Sequence, residues 1–82
     1  MVNFNGEILD ESLVKFGVEN RAYKYGDAVF ESMKFTAGKI VFWEDHYFRL
    51  MSTMRILRME IPMNFSPEYL EEQIILTIQS NH

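Results

Sequence analysis

His46, Arg49 and Thr53 recur at i, i+3 and i+7 through and just beyond the run "EDHYFRLM", residues 44 to 51. At roughly 100° per residue they fall on one flank of a helix, beside an apolar face made by Tyr47, Leu50, Met51, Met54 and Leu57. A guanidinium on a rigid helix can read a phosphate or a carboxylate through paired N–H donors. The structural alternative is a snorkelling arginine with its stem on the core edge, next to a histidine bonded to nearby backbone. Spacing alone leaves both open.

A second set of polar groups precedes the helix. In "AVFESMKFTAGKIVFW" an extended backbone would send Val29, Met33 and Phe35 one way together with Glu31, and Phe30, Ser32 and Lys34 the other. A sheet that only covered a core would keep one face apolar and the other polar. The mixed faces make Phe30, Ser32 and Lys34 candidates for a pocket lining, and assign Glu31 a structural hydrogen bond. An edge strand with ordinary surface residues is the other reading. The sequence has no glycine-rich phosphate loop, no nucleophile elbow and no carboxylate–histidine metal spacing. No catalytic residue and no metal ligand can be named from spacing.

The elements that position these groups can be placed from turn and cap chemistry. Asn5-Gly6 in "MVNFNGEIL" is a two-residue hairpin signal, and Ala37-Gly38 joins a second hairpin. Residues 10 to 27 read as loop with one turn of helix. A helix is expected from Glu44 to Met59, stopped by Pro62. Ser66-Pro67-Glu68 then opens another, with a serine cap, a proline in the first turn and an acid beside it. Its apolar positions are Tyr69, Leu70, Ile74, Leu76 and Ile78. The order β, loop, ββ, α, α predicts an α+β fold with an antiparallel sheet built from hairpins and two helices.

Composition narrows the function classes. The 82 residues make one small domain, 48% hydrophobic and 15% aromatic, which favours a packed core over disorder. Seven Phe, six Met and one Trp are a large apolar supply for this length, and part of it suits a surface outside the chain. A net charge of −4 without a basic cluster disfavours nucleic acid and anionic membranes as partners. With no cysteine and two histidines, neither disulfides nor thiolate metal sites are expected. No leader and no membrane span is apparent, so a soluble, cytoplasmic domain is expected.

The ordered set Arg21, Tyr25-Gly26-Asp27, Phe30-Glu31, Ala37-Gly38-Lys39, His46 and Arg49-Leu50 resembles the small N-terminal lobe of the class IV (fold-type IV) aminotransferases. These pyridoxal-phosphate enzymes include branched-chain and D-amino-acid aminotransferases and aminodeoxychorismate lyases. The flanks "NFNGEIL" and "SPEYLEEQIILTI" extend the resemblance over nearly the whole chain. The resemblance implies that Arg49 contacts the phosphate of pyridoxal 5'-phosphate and that His46 braces the site. It further implies a substrate pocket of Tyr25, Phe30, Ser32 and Lys34, an amino acid and a 2-oxo acid as substrates, and a homodimer.

Some positions depart from the family pattern. Asn20-Arg21-Ala22 replaces the common Asp-Arg-Gly, Gly26-Asp27-Ala28 replaces Gly-Asp-Gly, and Lys34 stands where arginine is frequent. None of Lys15, Lys24, Lys34 or Lys39 matches the family's Schiff-base lysine, which belongs to a larger second domain. The resemblance thus implies that residues 1 to 82 form a single lobe, inactive alone, of an enzyme that transfers amino groups. The alternatives are a lyase of the same family, or a stand-alone, non-catalytic α+β interaction domain that associates through its aromatic surface.

Overall fold

The computed structural model describes residues 1–20, 22, 25, 26 and 28–81. Arg21, Lys24 and Asp27, which the sequence comparison singled out, lie outside the described residues. Strand β1 (Val2–Phe4) pairs antiparallel with β2 (Glu7–Leu9), with Val2 opposite Leu9 and Phe4 opposite Glu7. Asn5 and Gly6 both take positive φ, 55° and 90°, the backbone of a type I′ turn. The Asn3 side chain accepts the Gly6 N–H at 2.8 Å and closes the turn from inside. A 3-10 turn, Glu11–Leu13, follows, and Ala22 and Tyr25 are helical as well, where the sequence predicts loop with one helical turn. The cap of the 3-10 turn is Asp10, whose carboxylate accepts the Ser12 hydroxyl and backbone N–H. Those two bonds hold the Asp10 carboxyl below its ordinary pKa, the hydroxyl first.

The second hairpin is shorter than the sequence suggests. Strands β3 (Phe35–Thr36) and β4 (Lys39–Ile40) pair across Ala37 and Gly38, which also take positive φ. One further bond, Val41 N–H to the Lys34 carbonyl at 2.8 Å, extends the contact. Residues 28–34 belong to no strand, although their composition is β-rich. A strand needs a neighbouring edge for its N–H and C=O groups, and the two hairpins form separate two-stranded sheets. The α+β architecture of hairpins and two helices is as expected.

Helix α1 spans Trp43–Ile56 and α2 spans Pro67–Gln79. α1 ends before the expected Met59 and does not need Pro62 to stop it. Arg58 takes a left-handed φ of 56°, while its N–H reaches the Arg55 carbonyl and that of Met59 reaches Met54. This is a Schellman closure with arginine in the place usually held by glycine. Leu57, expected on the apolar face, is therefore the cap and is exposed. α2 opens as expected: the Ser66 hydroxyl accepts the Tyr69 N–H at 3.1 Å, with Pro67 in the first turn. Leu76 is a correction, being exposed. It sits about 200° round the helix from Ile74, off the stripe of Leu70, Ile74 and Ile78. At the far end Asn81 caps the helix, donating to the Thr77 and Met1 carbonyls.

α2 is the common neighbour, packed by β1 on one side and by α1 on another. The Trp43 indole N–H donates to the Pro67 carbonyl at 3.1 Å, and the Tyr47 hydroxyl to the Phe65 carbonyl at 2.6 Å. Asn3 donates to Gln73 at 2.9 Å and ties the first hairpin to α2. Among the described residues only Ile40, Trp43 and Met51 are buried hydrophobic side chains. The radius of gyration is 13.6 Å, against about 12 Å for a self-contained domain of this length. The described structure is open and thinly cored. No described helix is long and apolar enough to cross a membrane.

Replacing Ser66 with alanine removes the cap of α2 and is expected to cost about 1 kcal/mol, whereas Ser66→Asp restores most of it. Urea unfolding of the two variants checks this. Equal stability of Ser66→Ala and the parent would show that the cap is not used.

Candidate functional site

The helix flank and the segment before the second hairpin meet at Glu31. Its carboxylate faces α1, with Oε2 3.5 Å from His46 Nδ1 and Oε1 3.4 Å from Arg49 Nη1. Residues 46 and 49 present themselves together because three helical residues advance about 300°, nearly one turn. Trp43 and Tyr47 fix the rotation of α1 by their bonds to the α2 junction. That rotation leaves His46 and Arg49 facing residue 31. Thr53, the third member of the flank, does not join them. Its hydroxyl bonds back to the Arg49 carbonyl at 2.9 Å.

The three side chains differ in their contact with solvent. Glu31 and His46 are nearly covered, with side chains 12% and 13% exposed, whereas that of Arg49 is 60% exposed. Both distances exceed the ~2.8 Å of a charge-assisted hydrogen bond, so neither contact is a hydrogen bond. Glu31 Oε1 and His46 Nδ1 are buried and make no hydrogen bond. A covered carboxylate is costly unless it is fully paired. The cluster therefore offers one guanidinium, steadied on one side by Glu31 and open to water on the other. A guanidinium in that setting has N–H donors left over with which it could contact an anion such as a phosphate.

Of the expected pocket residues, Phe30, Ser32 and Lys34 alternate with Glu31 along residues 28–34, whereas Tyr25 precedes that segment. Phe30 is 89% exposed and Tyr25 67% exposed, and Ser32 and Lys34 are exposed as well. Val29 is half-buried beside Glu31, and Met33 and Phe35 are only marginally exposed. The two-face pattern thus survives without a strand ladder. Phe30, Ser32 and Lys34 present an open aromatic and cationic surface. Among the described residues, two cavities lie away from this surface. One, of about 460 Å³, lies between the starts of α1 and α2; another, of about 380 Å³, lies between the first hairpin and α2. Among the described residues no group of three His, Cys, Asp or Glu side chains could hold a metal ion.

The contact of Glu31 with both His46 and Arg49 is absent from the sequence-based expectation, which gave Glu31 an unspecified structural bond. A signal for it exists. An acid on the apolar face of an extended segment needs polar partners, and His46 with Arg49 are the pair at helical spacing on the helix that follows the second hairpin.

Residues 28–82 match the family model described as Amino-transferase class IV. The chain is 26% identical over 81 residues to a D-alanine aminotransferase of Staphylococcus epidermidis, covering 99% of this chain and 28% of that protein. It is 27% identical over 81 residues to a putative branched-chain-amino-acid aminotransferase of Methanocaldococcus jannaschii, covering 99% of this chain and 27% of that one. The chain thus spans little more than a quarter of the curated relatives it matches. No solved structure matches it.

The geometry at Glu31 yields an expectation for stability. Long, partly wet ion pairs contribute little, so Glu31→Gln is expected to change unfolding stability by less than about 1 kcal/mol. Chemical denaturation at neutral pH measures it. A loss several times larger would make Glu31 a structural anchor of the lobe.

Proposed function

The chain belongs to the class IV amino-transferase family, and from that premise we propose that it is the small N-terminal lobe of a pyridoxal-phosphate-dependent aminotransferase. In this reading the enzyme moves an amino group between an amino acid and a 2-oxo acid. The observation that carries the reading at residue level is Arg49: a guanidinium mounted on a helix, steadied by Glu31, with most of its side chain open. Its planar fork suits a phosphate dianion.

Pyridoxal phosphate, when bound, supplies the electron sink that makes the α-carbon of an amino acid reactive. The residues of this lobe do simpler work. Arg49 holds the phosphate end, so that the reacting end has a fixed position. His46, packed against Glu31, braces the helix flank. Phe30 provides an aromatic wall that excludes water, with Tyr25 and Ser32 offering hydroxyls. Lys34 places a positive charge on the same surface for a substrate carboxylate. A lysine acts there as a point charge rather than a fork.

The Schiff-base lysine and the proton transfers it performs belong, in this proposal, to a second domain. The relatives are more than three times as long as this chain, which supports that division. The lobe alone is then inactive. The reading includes a cytoplasmic homodimer in which the small lobe helps enclose the neighbouring site.

In the complete protein, Arg49→Ala is expected to weaken binding of pyridoxal phosphate by tenfold or more, the scale of a hydrogen bond to a charged group. Titration of the apoprotein, followed by cofactor absorbance, measures it. Unchanged affinity would remove Arg49 from the phosphate site.

A further inference from the structure

We propose that Glu31 is a positioning residue for the phosphate contact, acting through Arg49; this rests on the reading of Arg49 given above. Arginine loses rotamer entropy when it is held in one orientation, and at 60% exposure the packing of the lobe alone does not order it. A carboxylate 3.4 Å from one Nη restricts those rotamers before any ligand arrives. The remaining N–H donors of the fork are left for the anion. An ordered donor binds more tightly because less freedom is lost on binding.

The position of Glu31 is hard to account for as a stabilising device. Its carboxylate is nearly covered, its Oε1 lacks a hydrogen bond, and so does His46 Nδ1. Covering a charge without full pairing opposes folding, and an ion pair with a largely exposed partner returns little. The arrangement has a use if Arg49 must be held in one orientation. His46 sets the other side of the carboxylate at 3.5 Å, so Glu31 cannot swing away without losing that contact. The Glu31 charge also opposes a nearby dianion. Orientation must therefore outweigh repulsion, which makes the proposal testable in sign.

The test compares affinity for pyridoxal phosphate with affinity for pyridoxal, which lacks the phosphate, in the complete protein. A loss of general structure lowers both affinities together, whereas a misplaced Arg49 lowers only the first. Glu31→Ala is expected to reduce the ratio of the two affinities roughly tenfold. It should cause no further reduction in an Arg49→Ala background. Glu31→Asp keeps the charge but is one methylene too short to reach both partners. It should shift the ratio the same way by less, and it serves if the alanine variant fails to fold. A ratio unchanged or raised in both Glu31 variants, while Arg49→Ala lowers it, overturns the role of Glu31 alone. A ratio unchanged in Arg49→Ala overturns the phosphate role of Arg49 and this inference with it.

Discussion

The docking of the first turn of α1 onto the start of α2 is the constraint on which the rest of the lobe depends. Trp43 and Tyr47 each combine a large apolar ring with one hydrogen-bond donor. Their donors end on the carbonyls of Pro67 and Phe65, on either side of the serine that caps α2. The two contacts are one helical turn apart, so they set both the separation of the helices and the rotation of α1 about its axis. Met51 is then carried into the core, where it is 2% exposed. His46 and Arg49 are carried to the flank that meets Glu31. A different rotation would have buried the arginine or turned it to open solvent.

The same docking explains why so few residues make a core. α1 and the first hairpin both lean on α2, and the second hairpin contributes a buried Ile40. Nothing in the described residues covers the outer aromatics. Phe30, Phe42 and Phe48 remain exposed. Phe42 also holds a left-handed φ of 56° at the entry to α1, an uncommon backbone for a bulky side chain. In the reading proposed above, in which the chain is one lobe of a larger enzyme, the rest of that enzyme covers such surface. An independent domain of this size would gain by burying it.

Local chemistry made much of the fold legible. Asn5-Gly6 announces a turn because both central residues of a type I′ turn need positive φ; at Ala37-Gly38 the glycine carries that signal, and Ala37 takes its φ of 52° in spite of its side chain. Ser66-Pro67-Glu68 announces α2 because cap, ring and acid each satisfy the start of a helix. The end of α1 was not legible, since its left-handed closing residue is Arg58 rather than glycine or asparagine. Residues 28–34 misled in a different way. Their composition favours a strand, but a strand exists only where another edge accepts its hydrogen bonds, and that edge is not a local property.

For the site, periodicity by itself determined that His46 and Arg49 lie together at the margin of an apolar face, and alternation put Glu31 opposite Phe30. Those relations follow from the 3.6- and 2-residue repeats of the backbone. Whether the Glu31 face or the Phe30 face would lie against the helix was not contained in either repeat. The tertiary structure decided it, through the rotation imposed on α1 by Trp43 and Tyr47 and the path of the chain into the second hairpin. Apolar burial draws Val29 inward beside Glu31, and the carboxylate that comes with it meets His46 and Arg49 of α1 there.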